Sequence, residues 1–349
     1  AIITAINAGG SVASSMSTGV QFIGTYSGSG PVSTLATGFG NLYNLAIDSA
    51  ENIYLADYGG NKVWRIPSGG SPSIFAGSTS GYLDGAAGSA TFRGPSGVAI
   101  SPDGSTVYVT DYGNSKIRKI TGGTVTTLAG GTHGAWLDGA SNVARFYYPS
   151  GIAIDRTGTV LFIGDKLTHR IRVVTIATGD VTTLAGGLNS SVGTSGSYAD
   201  GTGASASFNQ PLGLCVGLDN SVYVADSGNQ RIRKVTYPGG VVTTFAGSGV
   251  NGFLNGTGTG ARFSAPYGVA MDSYGILYVA DKDSKRIRQI TSAGVVTTFA
   301  GTGTNTSVDN ANRLLATFVQ PTGVVVNSSR TALYVTQTAT PAVRKITLN

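Results

Sequence analysis

Short runs of four to six residues, apolar and polar by turns, recur along the chain between clusters of Gly, Asp, Asn and Pro. Gly97–Ile100, Val107–Thr110, Lys116–Ile120 and Thr124–Ala129 form one such set. Period-two alternation in β-branched and aromatic residues predicts strands, and turn formers such as Pro102-Asp103-Gly104 predict where the chain reverses. The set then returns. Its clearest version reads Arg-Phe-x-x-Pro-x-Gly-Val-Ala, then Leu-Tyr-Val-Ala-Asp, then Arg-Ile-Arg, then Val-Thr-Thr-Phe-Ala-Gly. The Asp closing the second phrase falls at Asp57, Asp111, Asp165, Asp226 and Asp281, with Gln337 in the sixth place, at steps of 54, 54, 61, 55 and 56 residues. A period this long, filled with short strands, predicts one supersecondary unit repeated about an axis. Four antiparallel strands per unit make a propeller blade, so the expected fold is an all-β, six-bladed β-propeller.

The ends of the pattern predict how the ring closes. The sixth unit has Gly323–Val326, Leu333–Thr336 and Val343–Thr347 but no fourth run, while Pro31–Gly38 resembles Thr124–Gly130. The N-terminal strand is therefore expected to complete the last blade from outside, pairing two edges that would otherwise be open. Residues 26–349 form the predicted propeller. Residues 1–25 form an extension in which Ala1–Ile6 is apolar and uncharged. A strand at Val20–Tyr26 is expected, and the extension is read as a strap on the same molecule, an arm added to a neighbouring subunit's sheet, or a disordered remnant.

Composition narrows the class. With 53 Gly and 11% charged residues the chain is turn-rich and poor in helix. No apolar run reaches the roughly 18 residues of a membrane helix. The start at Ala1 is expected for a mature form after signal removal, or for a trimmed chain. Cys215 stands alone, so no intrachain disulfide or Cys-based zinc site is available. It aligns with Ala99 and is expected to fill space. The net charge of +6 does not by itself call for nucleic acid. Of the acids, sixteen are Asp and only Glu51 is Glu, as expected where acids build turns.

Candidate chemistry is sparse. Asp111, Asp165, Asp226 and Asp281 precede Arg118, Arg172, Arg233 and Arg288 by seven residues, and Asp57 precedes Arg65 by eight. These pairs are expected to be turn caps and ion pairs within or between blades, because every unit carries one. Asp-Gly or Asn-Gly turns at Asp84, Asp138, Asp200 and Asn255 lead to Phe92, Phe146, Phe208 and Phe263, expected to plug each loop. His133 and His169 are the only histidines, and no acid–base pair or nucleophile constellation stands out. Asn-x-Ser/Thr occurs at Asn189, Asn255, Asn305 and Asn327, all in expected loops or turns, making these candidate N-glycan sites.

The phrases Pro-x-Gly-Val/Ile-Ala, Tyr-Val-Ala-Asp-x-x-x-x-x-Ile-Arg-Lys-Ile and Val-Thr-Thr-Phe-Ala-Gly resemble NHL repeats over residues 31–349. The resemblance implies a six-bladed propeller whose first strands line a central channel. It does not choose a function, since such repeats serve protein binding, RNA binding and catalysis. Amidating lyases of this type use several histidines for zinc, and lactonase-like propellers use Glu with Asn and Asp around a central cation; neither set is present. The expectation is a secreted or cell-surface, non-catalytic protein-interaction module. It would need no cofactor, would carry N-linked glycans, and would self-assemble through residues 1–25 into a homo-oligomer or polymer. The alternatives are a divalent-cation-dependent hydrolase or lyase sited in the channel, and an RNA-binding module; nucleic acid is the less expected partner.

Overall fold

The computed structural model describes residues 30–187 and 196–348. The extension at 1–25, all of the Val20–Tyr26 run and Asn189 lie outside the described residues. Among the described residues the strands form six antiparallel sheets. In blade 2 the order from axis to rim is Pro95–Ile100, Thr106–Asp111, Lys116–Thr121 and Thr124–Ala129. Inner strands Leu42–Ile47, Pro95–Ile100, Pro149–Ile154, Pro211–Val216, Pro266–Met271 and Pro321–Val326 each pack against the inner strands of both neighbouring blades. The ring is closed.

Closure runs through the predicted clasp. Val32–Thr37 lies antiparallel to Ala342–Thr347, with Val32 opposite Ile346 and Thr37 opposite Ala342. The fourth strand of blade 6 thus comes from the other end of the described chain.

The core is divided among the blade interfaces. Each of six buried apolar clusters draws on two adjacent blades; Ala99, Tyr108 and Ile117 of blade 2, for example, meet Ile152, Leu161 and Ile163 of blade 3. A central strand covered on both faces cannot alternate polar and apolar residues. The Leu-Tyr-Val-Ala-Asp runs accordingly are buried at every position.

One difference from expectation concerns strand number. Blades 2, 4 and 5 have a fifth, two-residue strand, Gly85–Ala86, Gly201–Thr202 or Gly256–Thr257, on the outer strand. The loop entering each blade turns back along the rim before diving to the axis, so the edge is covered. Gly85 takes φ of 139°, a value that disfavours any side chain. In blade 3 the cover is a single bridge, Gly139 to Val181, and in blade 6 Asn310 bridges Val32. Blade 1 has no such cover among the described residues. Residues 38–41 lead straight to its inner strand, and Pro72 stands where Val125 of blade 2 accepts the covering strand. Proline has no N–H to offer an added strand.

Candidate binding face

The repeated Asp and Arg meet inside the blade. Arg118 donates to Asp111 Oδ2 at 2.7 Å and Asp84 Oδ1 at 2.5 Å, and to the carbonyls of Thr91 and Leu83. Arg172 does the same with Asp165, Asp138, Arg145 O and Leu137 O. Arg233 holds Asp226, Asp200, Ser207 O and Ala199 O. Arg288 holds Asp281 but takes Asn255 Oδ1 in place of the second carboxylate. Arg344 pairs with Asp309, and its contact to Gln337 Oε1 is long, 3.4 Å. All five guanidiniums are 0% exposed and lie over the buried rings of Phe92, Phe146, Phe208, Phe263 and Phe318. Each staples the covering loop to its blade through four N–H groups, a task that needs the planar fork of arginine. The carboxylates also cap the next loop; Asp165 Oδ1 accepts Tyr147 N at 2.8 Å. Burial raises the pKa values of Asp165 and Asp281 to about 6, against the pull of their arginines.

Blade 1 corrects the expected pairing of Asp57 with Arg65. Trp64, seven residues after Asp57, fills the arginine position and donates Nε1–H to Asp57 Oδ2 at 3.0 Å. Arg65 falls on the other face of its strand, over the Tyr54 ring at 5.9 Å. With no covering loop among the described residues, a guanidinium there would have Asp57 but none of the loop acceptors, and an indole with one N–H suits the half-buried site. A uniform step of seven was the signal for this.

The outer cations of the Arg-Ile-Arg phrases are also engaged. Arg170, Arg231 and Arg286 stack on Trp136, Tyr198 and Phe253 at 3.9, 3.8 and 3.9 Å and donate to nearby carbonyls.

The candidate glycan sites divide. Asn255 and Asn305 are exposed. Asn327 is 2% exposed; its Nδ2, the atom a glycan would occupy, donates to Glu51 Oε1, Ser329 Oγ and Thr331 Oγ1. The folded chain therefore does not present Asn327 for modification, a correction to its sequence reading. The only Glu is occupied in the same cluster.

The channel is apolar. Its cavity of about 240 Å³ is walled by the six inner strands, with Val98, Ile152, Leu214, Val269 and Val324 among the lining residues. Asn44 is the polar side chain in that wall, and its Oδ1 accepts Leu45 N. Cys215 lines it as well; burial pushes its thiol pKa up, which keeps it protonated.

The mouth on the loop-bearing face is different. A cavity of about 210 Å³ is lined by Tyr43, Tyr58, Tyr112, Tyr267, Lys166, Lys282 and Gln210 with smaller residues. Tyr58, Tyr112, Lys166, Ser227 and Lys282 each follow the repeated Asp of their blade, so the bend after the second strand aims them at the axis. Tyr43 and Tyr267 come from the start of inner strands. Burial and the neighbouring phenols raise Tyr112 to about 12, and burial raises Tyr43 and Tyr267. These hydroxyls remain donors at neutral pH. Burial and the charge of Lys282 lower the pKa of Lys166.

From the axis the rings continue outward. Tyr267–Tyr43, Tyr43–Tyr58, Tyr58–Tyr112 and Tyr112–Tyr148 have centroids 5.6, 4.7, 5.7 and 4.8 Å apart. Tyr148 meets Tyr147 and His133, and with Tyr82, Arg93, Lys116 and His133 it lines a second cavity of about 550 Å³. His133 Nδ1 lies 2.7 Å from Ser115 Oγ. His169 Nδ1 accepts Gln210 N at 3.1 Å, which places its neutral-ring proton on Nε2. Sequence reasoning missed this band. Its signal was the position after each repeated Asp, Tyr or Lys in four blades of six.

Six four- or five-stranded blades around an apolar channel define a six-bladed β-propeller with a built loop face. The NHL-repeat family model matches residues 92–120 and 208–235, in blades 2 and 4. The chain is 31% identical over 202 residues to Protein SUPPRESSOR OF QUENCHING 1, chloroplastic, of Arabidopsis thaliana, covering 56% of this chain and 19% of that one. It is 33% identical over 168 residues to NHL repeat-containing protein 2 of Bos taurus, covering 45% and 22%. The match thus spans about a fifth of these relatives. Among solved structures it resembles a Bacteroides thetaiotaomicron protein of unknown function (TM-score 0.70, 18% identity, 91% of this chain and 75% of that one). It also resembles a gluconolactonase of Xanthomonas campestris (TM-score 0.63, 14% identity, 91% and 89%). At such identities these two show the fold alone. The protein is an NHL-type propeller.

Proposed function

We propose that this propeller is a non-catalytic interaction module that docks a protein partner on its mouth face, at the cell surface or outside the cell. One observation carries the reading: an aromatic band runs unbroken from the axis to the second cavity on one face. Half-buried Tyr with nearby cations is the composition of contact surfaces. The channel supports it too, since among the described residues its apolar wall offers no carboxylate or imidazole for the alternative, cation-dependent hydrolysis or lysis. The likeness to a gluconolactonase keeps that alternative worth assaying, with lactones and added calcium. RNA binding lacks its expected cations, because the strand arginines are engaged within the blades.

A photo-crosslinking residue at Tyr148, with a control at Tyr274 in a turn of the opposite face, tests the docking reading. One discrete partner adduct from position 148 alone, identified and reconstituted from purified proteins, is expected. Equal adducts from both positions would overturn it. The extracellular placement predicts hexose additions at Asn255 and Asn305 in the intact mass of native protein; an unmodified mass sinks it. Self-assembly through residues 1–25 predicts a smaller mass by light scattering once residues 1–18 are deleted, and an unchanged mass refutes it.

A further inference from the structure

We infer that the central mouth is a carboxylate-receiving pocket that seats an acidic side chain, or the terminal carboxylate, of an extended partner peptide running outward along the aromatic band. This rests on the docking reading above and gives the partner its chemistry.

Lys166 and Lys282, from blades 3 and 5, line one cavity of about 210 Å³. Among the described residues no Asp or Glu lines it with them. The carboxylates one residue below, Asp165 and Asp281, are turned into their blades, toward Arg172 and Arg288 and the backbone N–H groups of Tyr147 and Ser264. The contact recorded for the Lys166 ammonium is with the Tyr112 ring, at 5.7 Å. Two half-buried cations facing one space without a counter-ion repel each other, and an incoming carboxylate converts that repulsion into attraction on both sides. The walls suit the same guest. Tyr43, Tyr58 and Tyr112 bring phenol groups to the cavity as donors to an oxyanion, and Tyr267, its hydroxyl engaged with Ser150, closes the wall. Gln210 adds a carboxamide, and its backbone is fixed by the bond to His169.

The shape of the band favours a linear guest. The mouth and the second cavity are joined through the Tyr112–Tyr148 contact at 4.8 Å. The second cavity offers Arg93 and Lys116 beside Tyr82 and His133. Lys116 Nζ is already held by the carbonyls of Gly130 and Gly131, whereas Arg93 is exposed. A peptide with one acid at the axis and an aromatic or acidic residue several positions away would meet both. A phosphate backbone finds a poorer match: the mouth has two lysines and no arginine, well short of a phosphate-tracking stripe.

A random 12-residue phage library panned on the whole folded chain, followed by titration calorimetry of the enriched synthetic peptides, tests this. Enriched peptides are expected to carry Asp, Glu or a free C-terminus. Replacing that acid by its amide, or introducing Lys166→Ala with Lys282→Ala, is expected to weaken binding at least tenfold, with circular dichroism and melting unchanged. Acid-free peptides that bind the face, lose affinity with Tyr148→Ala and ignore the lysine substitutions would overturn the carboxylate pocket and leave protein docking standing. Citrate binding as tightly as the peptide, or a 12-nucleotide RNA binding more tightly and losing affinity in the lysine variant, would overturn the peptide occupant. No enrichment above empty phage would overturn the pocket, while the crosslinking result at position 148 would still judge the docking reading by itself.

Discussion

Two adjacent rings of residues, one position apart in sequence, behave in opposite ways. Asp57, Asp111, Asp165, Asp226, Asp281 and Gln337 close the second strands and lie buried. Their successors Tyr58, Tyr112, Lys166, Ser227, Lys282 and Thr338 differ from blade to blade. The lower ring is uniform because each covered blade sets the same problem: a loop must be stapled to a sheet in a place water does not reach. Where no covering loop is found among the described residues, in blade 1, the staple is absent too and Trp64 replaces it. Five members of the upper ring line the mouth cavity and answer to what enters it, while Thr338 is bonded to Gln320. Repetition in this chain therefore marks scaffold, and broken repetition marks the surface that distinguishes the protein.

That contrast breaks most visibly at a staple. Arg172→Ala leaves Asp165 buried without its cation and frees the loop at Leu137–Asp138, and is expected to cost about 3–5 kcal/mol in denaturant unfolding. Arg172→Lys should recover little, since an ammonium cannot span the four acceptors. Placing a staple where the described residues hold no loop should also hurt: Trp64→Arg is expected to lose about 1–3 kcal/mol through a half-buried guanidinium that meets Asp57 but none of the loop acceptors.

Removing one carboxylate is milder. Asp165→Asn keeps the shape and Asp138, much as Gln337 serves in blade 6, and is expected to cost about 1–2 kcal/mol at pH 7. The pH dependence has a definite sign. An Asp held at about 6 in the fold, against about 3.9 in the unfolded chain, gives the folded state the tighter hold on the proton. Its term is most favourable below pH 4 and declines as pH rises to about 6. Wild type should therefore gain on Asp165→Asn as the pH falls from 6 to 4 in paired denaturant titrations; a constant difference would show the carboxylate ionised throughout. The upper ring should show the smallest stability effect. Tyr58→Ala and Lys166→Ala are expected to shift unfolding by about 0.5 kcal/mol or less while changing what the mouth binds. A large loss of stability from Lys166→Ala would erase the distinction between the rings.

Much of the scaffold was legible because it is local and repeated. Strand runs, the clasp at Val32–Thr37 and the pairing of Asp111 with Arg118 follow from periodicity and from a fixed step of seven. Arg65 misled because its charge made it a better-looking partner for Asp57 than Trp64, although it sits one residue out of register. Asn327 misled because a sequon in a turn reads as exposed, and only the packed structure shows its amide filled by Glu51 and two hydroxyls. The fifth strands and the mouth were out of reach for a different reason. They join residues of separate blades or loops, and Tyr267 meets Tyr43 only once blade 5 and blade 1 have been brought round the same axis. A candidate site of that kind belongs to the ring, and no single repeat contains it.

The clasp has a consequence for biosynthesis. Val32 exchanges backbone hydrogen bonds with Asn310 and faces Ile346, so a strand made before blades 1 to 5 waits for a partner made after them. Until blade 6 is made, that strand is an unpaired edge able to join the wrong sheet. A chain interrupted before residue 342 would expose two such edges at once, which makes blade 6 the checkpoint between a finished wheel and a species that chaperones or aggregation would claim.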